Sequence, residues 1–260
     1  MFHNLSVVKS CCRTVSKERI ILEVAPDTNQ EYFKMLKKVF VFISVAVITA
    51  SSVQAQVTLG VRAGYNHTNM TNKYAGQAPD EESRYQSISG FQAGLVADFS
   101  LSSHFGVQPG LIFATQGATV YREEDSREKL VHSLNYLQLP VNLQLKFRIG
   151  GAKLLFQAGP YAGYGLFGEV KSYMGDGKRV NPSDWGLEKD IYKITFDGDK
   201  EKMQSYAALD YGVGGGLGLQ FGHIQVVAGY NHGLNNITNH ENISLKNKSW
   251  TATVTYLLGK

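Results

Sequence analysis

The chain has 260 residues, of which 43% are hydrophobic and 18% charged, with a formal net charge of +4 and two cysteines, Cys11 and Cys12. Both cysteines lie within residues 1–55, so the remaining 205 residues contain no cysteine and are not a disulfide scaffold. Without residues 1–55, lysine plus arginine falls from 26 to 19 and aspartate plus glutamate from 22 to 18, so the net charge falls to +1 and gives no warrant for a nucleic-acid partner.

The N-terminal part carries an export signal. Residues 35–55 combine Met-Leu-Lys-Lys, the apolar run 39–48 and a small-residue stretch that ends at Ala55. That order is typical of a secretory signal peptide, and the apolar run is too short for a transmembrane helix. We therefore expect cleavage after Ala55. Residues 1–34 are interpreted as an extension that results from a start site assigned too early; the alternative is a real extension that delays export.

Residues 56–260 form one predicted domain built from alternating strands. The pattern is clearest at 137–149, where every odd position is apolar and every even position is polar or proline. Side chains of a strand alternate between faces, so the segment has one apolar and one polar face. The same pattern predicts eight strands at 57–65, 91–101, 105–116, 137–149, 154–165, 209–221, 224–231 and 250–258. Pro109, Pro140 and Pro160 fall inside these strands, and we expect bulges or kinks there.

The connections between the predicted strands alternate long and short. The short ones contain Ser102-Ser103, Gly150-Gly151 and Gly222, and the long ones lie near 67–87, 119–133, 168–204 and 235–248. Short periplasmic turns and long extracellular loops are typical of outer-membrane barrels. The fold class predicted is therefore all-β, an eight-stranded antiparallel up-and-down transmembrane β-barrel.

The direction of the apolar face separates this fold from a soluble, exported, lipocalin-like barrel, which would enclose an apolar ligand. Large aromatic residues recur on the apolar face near both strand ends, as the two interfacial girdles of a membrane barrel do. These residues are Tyr65, Phe91, Phe99, Phe105, Phe113, Phe147, Tyr164, Phe221, Tyr230, Trp250 and Tyr256. We therefore expect the apolar face to point outward.

The opposite face carries five charged residues: Arg62, Asp98, Lys146, Arg148 and Asp210. Buried charges must be paired, and an eight-stranded barrel is just wide enough for side chains to fill it. We predict a salt-bridged polar network in the lumen; a narrow conducting path is the alternative.

The longest connection, 168–204, mixes acidic and basic residues with Trp185 and Tyr192. Exposed aromatic residues in a loop are frequent contact residues for a protein partner. The pattern at 191–196 alternates and indicates a hairpin that extends above the membrane. Partner binding through Trp185 or Tyr192 is the hypothesis, and an ordinary solvated loop is its alternative.

The strand motifs also carry a resemblance. Tyr136 to Lys146 reads Tyr-Leu-Gln-Leu-Pro-Val-Asn-Leu-Gln-Leu-Lys, and further pieces are Gly60 to Tyr65, Gln108-Pro-Gly110 and Gly159 to Gly163. Through these motifs residues 57–260 resemble the PorT-type outer membrane β-barrel family, which is eight-stranded and porin-like. The resemblance implies an outer-membrane barrel, and one branch of the family serves in protein secretion.

Together these patterns predict a non-enzymatic integral protein of the bacterial outer membrane, with lipid as its surroundings. No residue pattern indicates a catalytic residue, a metal ligand or a cofactor. Its outer loops would bind an envelope, surface or secretion partner. The soluble ligand-binding barrel and a small pore remain the alternatives.

Overall fold

A computed structural model describes residues 56–74, 85–121, 129–174, 176–180, 193–196, 206–238 and 243–258. The predicted extension at 1–34, the signal peptide at 35–55, Trp185 and Tyr192 lie outside the described residues. Within the described ranges no helix is long and apolar enough to cross a membrane.

The described residues form nine strands, which are β1 (Gln56–Tyr74), β2 (Tyr85–Ser100), β3 (Phe105–Tyr121), β4 (Lys129–Ile149), β5 (Ala152–Tyr173), β6 (Lys193–Ile194), β7 (Leu209–Phe221), β8 (Ile224–Gly233) and β9 (Ile243–Leu257). Every strand except the two-residue β6 pairs with a strand on each side, and all pairs are antiparallel. Pairing of β1 with β9 closes the ring. The eight-stranded barrel is thus confirmed, and β6 adds to the outer side of β5 at Gly168 and Glu169.

Two of the short turns depend on glycine. Gly150 and Gly222 have φ angles of 58° and 53°, a left-handed conformation that side chains disfavour. Tight hairpin connections require such angles, because only they match the twist of the flanking strands. These turns define one end of the barrel, which the topology expected for an outer-membrane barrel places on the periplasmic side.

The apolar face of the strands points outward around the barrel. On β4, Leu139, Leu143 and Phe147 are 41–50% exposed, whereas Gln144 and Lys146 between them are buried. This orientation contradicts the lipocalin-like alternative, whose apolar face would line the interior. A closed ring leaves no strand edge unpaired in lipid, where a free backbone polar group would be costly.

The strands are longer than predicted, and their polarity reverses beyond the aromatic residues at the loop end. β4 and β5 have 21 and 22 residues, about twice the ~9–11 that a membrane crossing needs. In these outer extensions some of the buried, inward residues are apolar, for example Met70, Leu134 and Leu245, and they lie beside buried polar residues such as Thr119 and Asn247. Parts of the predicted loops at 67–87, 119–133, 168–204 and 235–248 are therefore strand. The polarity reverses because the surroundings of the barrel change from lipid to water beyond the outer aromatic residues.

The expected bulges at the prolines are absent. Pairing is interrupted between Pro109↔Val141 and Ile112↔Gln138, and again between Pro140↔Tyr161 and Leu143↔Ala158, and it resumes each time in the same register. Gly159 lies inside the second interruption, and a Cβ there would collide with the carbonyl oxygen of Val141. Close backbone approach at glycine thus accommodates proline, which has no N–H to donate. The register shifts lie elsewhere, between Ser87 and Gln92 and between Asn135 and Tyr136.

Candidate functional site

The lower interior of the barrel, next to the short turns, holds a charged network centred on Asp98. Both carboxylate oxygens of Asp98 lie 2.8 Å from Nζ of Lys146, and the two residues are 1% and 5% exposed. The side-chain amides of Gln108 and Gln225 donate to the same carboxylate at 3.2 Å. A buried carboxylate needs a counter-charge and hydrogen-bond donors, and Asp98 has both.

Arg62 joins this network from β1, the strand next to the one that carries Asp98. Its guanidinium donates to the amide oxygen of Gln108 and, through Nε, to the hydroxyl of Thr255 at 2.9 Å. Gln108 in turn donates to Gln225 at 3.1 Å. The contacts link β1, β2, β3, β4, β8 and β9, so the network crosses the lumen and closes its lower half.

Arg148 is not part of this network, which corrects the sequence prediction. It lies one residue before the end of β4, pairs with Lys153 and is exposed. The alternation does predict an inward position, but at the mouth of the barrel an inward side chain reaches water. A cation gains more from hydration there than from a buried partner.

Asp210 occupies a separate position in the upper interior. Its carboxylate, 0% exposed, accepts a hydrogen bond from Nδ2 of Asn247 at 3.0 Å and a longer one from the hydroxyl of Tyr161 at 3.5 Å. The hydroxyl of the fully buried Tyr136 and one oxygen each of Asp210 and Asn247 have no protein hydrogen-bond partner. The predicted charges other than Arg148 thus divide into one network and one separate polar cluster.

Above this polar cluster an apolar cluster fills the outer extension. Its members come from six strands and from the segments before β7 and after β8: Met70, Ala118, Leu134, Tyr136, Val170, Ile194, Tyr206, Ile237 and Leu245, with Tyr85 and Phe196 packed against it. The ring of Phe196 makes an edge contact with Tyr136, with centroids 5.6 Å apart. This apolar plug closes the outer end of the lumen as a soluble core would.

His132 and Tyr206 form a polar contact beside the apolar plug. The Tyr206 hydroxyl lies 3.0 Å from Nδ1 of His132. His132 lies five residues before Leu137 on β4, and Leu137 pairs with the girdle residue Tyr164. Burial lowers the pKa of His132 to about 4 and raises the pKa of Tyr206 to about 12. Both side chains are therefore neutral at pH 7.

Between the charged network and the apolar plug lies a cavity of about 40 Å³. Its lining is mainly polar and includes Arg62, Gln138, Asn142, Tyr161 and Thr253. A space of this size has room for a few water molecules, and polar walls can hold them. It is too small for a drug-sized ligand, which fills hundreds of cubic ångströms.

The predicted girdle residues fall into two groups along the barrel. Phe105, Phe147, Phe221 and Tyr256 lie near the short turns, and Tyr65, Phe91, Tyr164 and Trp250 lie near the base of the outer extension. Every predicted girdle residue is at least partly exposed, including Phe99, Phe113 and Tyr230. Trp250 is 64% exposed and its ring centroid lies 4.8 Å from that of Tyr230.

Comparison with known proteins agrees with this architecture. Residues 50–239 match the family model described as outer membrane protein beta-barrel domain. The chain belongs to this family. Membership supports a location in the bacterial outer membrane, with lipid around the barrel. No curated protein matches the sequence.

Several solved outer-membrane proteins are similar in structure at low identity. OprG from Pseudomonas aeruginosa is 13% identical, with 79% of this chain and 98% of that chain covered and a TM-score of 0.41. Neisserial surface protein A is 11% identical, with 77% and 98% covered and a TM-score of 0.36. Ail of Yersinia pestis, solved in complex with the heparin analogue sucrose octasulfate, is 15% identical, with 77% and 99% covered and a TM-score of 0.30.

Sequence reasoning missed the glutamines and the apolar plug. Gln108 and Gln225 look like ordinary inward polar residues, and only the register shows that they meet at Asp98. The apolar plug had a signal in the sequence, because Met70, Leu134 and Leu245 are apolar at positions whose parity belongs to the polar face. Apolar residues that occupy positions of the polar face near the end of a strand therefore mark where a barrel leaves the membrane.

Proposed function

We propose that this member of the outer-membrane barrel family is a non-enzymatic and non-conducting scaffold whose outer loops bind an envelope, surface or secretion partner. The observation that carries the proposal is the closure of the interior at two heights. The Asp98 network crosses the lower lumen, and the apolar plug fills the outer end. A barrel without a path through it has only its outer surface and its loops with which to act.

The closure argues specifically against the small pore. Ions need a continuous water-filled path, whereas Ile237 and Leu134 in the apolar plug are 0% exposed. The cavity of about 40 Å³ lies below this cluster. In planar bilayers we expect no conductance steps from the folded protein. Regular conductance steps would instead show that the protein is a small pore.

The loops are the part of the protein left to bind a partner. Backbone contacts connect the described parts of this loop to the barrel. β5 and β6 pair at Gly168 and Glu169, and the N–H of Tyr206 donates to the carbonyl oxygen of Thr195 at 2.9 Å. Trp185 and Tyr192 lie between these fixed points in the sequence. The resemblance to the PorT-type family makes a secretion component the first partner to look for.

The test is purification of the protein from its own outer membrane in mild detergent, followed by identification of proteins present in equal amounts. The test variant is the double substitution Trp185→Ser and Tyr192→Ser. Its matched control is Tyr121→Ser, which removes one aromatic side chain at the outer end of β3. We expect a stoichiometric partner with the native protein and with the control, and loss of the partner from the test variant.

Other outcomes decide between roles. Secretion proteins as partners would support the PorT-like role, and a structural envelope protein or surface polymer would support a different scaffold. A monomer without partner, from membranes in which an unboiled gel shows folded barrel, would contradict the scaffold proposal.

A further inference from the structure

The charged network of the lower lumen carries more positive than negative charge. Arg62 and Lys146 each bring a positive charge, and Asp98 brings the negative charge. All of these side chains are buried, and their exposure does not exceed 6%. Lys146 contacts both carboxylate oxygens of Asp98, whereas Arg62 reaches that carboxylate only through Gln108. A buried charge without a counter-charge is costly, so the excess positive charge at Arg62 calls for compensation.

The guanidinium of Arg62 keeps hydrogen-bond donors that the network does not use. Its Nε donates to Thr255 and its Nη2 donates to Gln108. Within the described residues, Nη1 makes no hydrogen bond. A guanidinium has more N–H donors than these two contacts occupy. Arg62 also lines the cavity of about 40 Å³ between the charged network and the apolar plug, and the remaining donors are available to a ligand in that space.

The wall of this cavity combines one cation with neutral hydrogen-bonding groups. Among the described residues that line it, Arg62 is the only charged one, and most of the other polar ones are side-chain amides and threonines. Gln138 and Asn142 on this wall are 7% and 8% exposed, and Nε2 of Gln138 has no protein hydrogen-bond partner. A side-chain amide nitrogen donates hydrogen bonds, as an anion requires. The chemistry of the wall therefore favours a negatively charged ligand.

Asp210 is the second buried acid of the barrel, but it does not border this cavity. Its carboxylate contacts Asn247 and the hydroxyl of Tyr161. Tyr161 does line the cavity, yet its hydroxyl donates to Asp210 at 3.5 Å. Asp210 therefore acts on Arg62 only from a distance, and no acidic residue of the described strands lines the space beside the guanidinium.

The volume of the cavity limits the size of the ligand. A space of about 40 Å³ holds a few water molecules. A monatomic anion is similar in size to a water molecule and can replace one of them, with the others completing its hydration. A carbohydrate acid such as gluconate is several times larger and does not fit. Small anions are therefore separated from large ones by size alone.

We propose that the cavity binds one small monovalent anion, such as chloride, against the guanidinium of Arg62. The anion accepts hydrogen bonds from Arg62 and from the amides of Gln138 and Asn142, and it brings the sum of charges at the network to zero. It is a structural ion that stabilises the folded barrel. The site lies in the interior, apart from the loops to which the scaffold function is assigned, so either proposal can fail alone.

The test measures the stability of the barrel in phospholipid vesicles as a function of chloride. Urea unfolding is followed in mixtures of sodium chloride and sodium gluconate at constant total concentration, so that the screening of surface charges does not change. A ligand that binds only the folded state raises the folding equilibrium constant in proportion to its concentration once the site is nearly full. We expect a rise of up to about tenfold for each tenfold increase in chloride. Bromide should replace chloride.

Two variants remove the need for the anion in different ways. Arg62→Gln removes the cation, and Gln138→Glu places a carboxylate on the wall of the same cavity. Both should lose the dependence on chloride. The matched control, Arg148→Gln, removes an exposed cation outside the network and should keep the full dependence. Because Gln138→Glu retains Arg62 and its contacts, it decides the question if Arg62→Gln does not fold.

The remaining outcomes each overturn the proposal. Equal stability of the native barrel in chloride and in gluconate would show that the cavity holds water only. An unchanged chloride dependence in both cavity variants, or its loss in Arg148→Gln, would show a general effect of salt. Crystals grown in sodium bromide locate the ion directly. Anomalous scattering should place bromide beside Arg62, and bromide found only on the protein surface would contradict the site.

Discussion

The charged network predicts that loss of the Asp98 charge destabilises the barrel more than loss of the Lys146 charge. Asp98→Asn keeps the shape of the side chain and removes the only negative charge within the described network, which contacts Lys146 directly and is linked to Arg62 through Gln108. Two cations, 5% and 6% exposed, would then lack a counter-charge. Lys146→Met instead leaves Asp98 connected to Arg62 through Gln108, one charge of each sign.

The expected costs follow from burial. Breaking a buried ion pair so that a charge remains unpaired costs about 3–5 kcal/mol, which is our expectation for Asp98→Asn. Lys146→Met loses hydrogen bonds to a charged group, worth about 1.5–3 kcal/mol. The double variant leaves Arg62 as the one unpaired cation, where Asp98→Asn alone leaves two, so its cost should fall short of the sum by roughly 2 kcal/mol.

The assay is reversible urea unfolding in phospholipid vesicles, followed by tryptophan fluorescence and by unboiled gels. Arg148→Met is the matched control, because this exposed cation lies outside the network, and its effect should stay within about 0.5 kcal/mol. Asp98→Asn should also remain non-conducting, since the apolar plug is intact. A cost for Asp98→Asn no larger than that for Lys146→Met, or strict additivity, would refute the network as the main stabiliser of the lower lumen.

Three further predictions concern other parts of the barrel. Leu143→Arg places a charge on the lipid face, where Leu143 is 50% exposed, and should destabilise the barrel by about 2–4 kcal/mol in vesicles, with Leu143→Ile as a near-neutral control. Ile237→Ala opens a space in the apolar plug and should cost about 2–5 kcal/mol, seen as faster hydrogen exchange in the outer extension with unchanged exchange near the short turns. The pKa of His132 is about 4 when folded and about 6.5 when unfolded, so the unfolded state takes up more protons on acidification. Lowering the pH from 7 to 5 should therefore destabilise the outer extension by up to about 2 kcal/mol, and His132→Gln should abolish this pH dependence of hydrogen exchange.

The fold could be predicted from the sequence because lipid imposes one rule on every strand. A spanning strand must alternate, and glycine turns such as Gly150 and Gly222 mark where it reverses. The prediction failed where that rule ends. Above the girdle, water replaces lipid outside, and the apolar residues, such as Leu134, change to the inward face.

The site was predicted less completely, for a reason of geometry. Parity places Asp98 and Lys146 on the inward face, but only the register of strands distant in sequence shows that they meet. Arg148 has the same parity as Lys146, but it is exposed whereas Lys146 is buried. The reason is that Arg148 lies two residues further along β4, where the interior of the barrel opens to water. Asp210 lies far enough up β7 to have its own partners, Asn247 and Tyr161.

The pairing of β1 with β9 has a consequence for the order of events during assembly. The hydrogen bond from Arg62 to Thr255 joins residues 193 positions apart, and every pair of the seam from Gly60↔Leu257 to Tyr74↔Ile243 is also remote in sequence. One edge of β1 therefore has no partner strand until β9 has been synthesised and exported. During that interval β1 offers a free edge on which aggregation can begin. Periplasmic holding factors would have to protect that edge, and the time that the cell needs to deliver β9 sets how long they must do so.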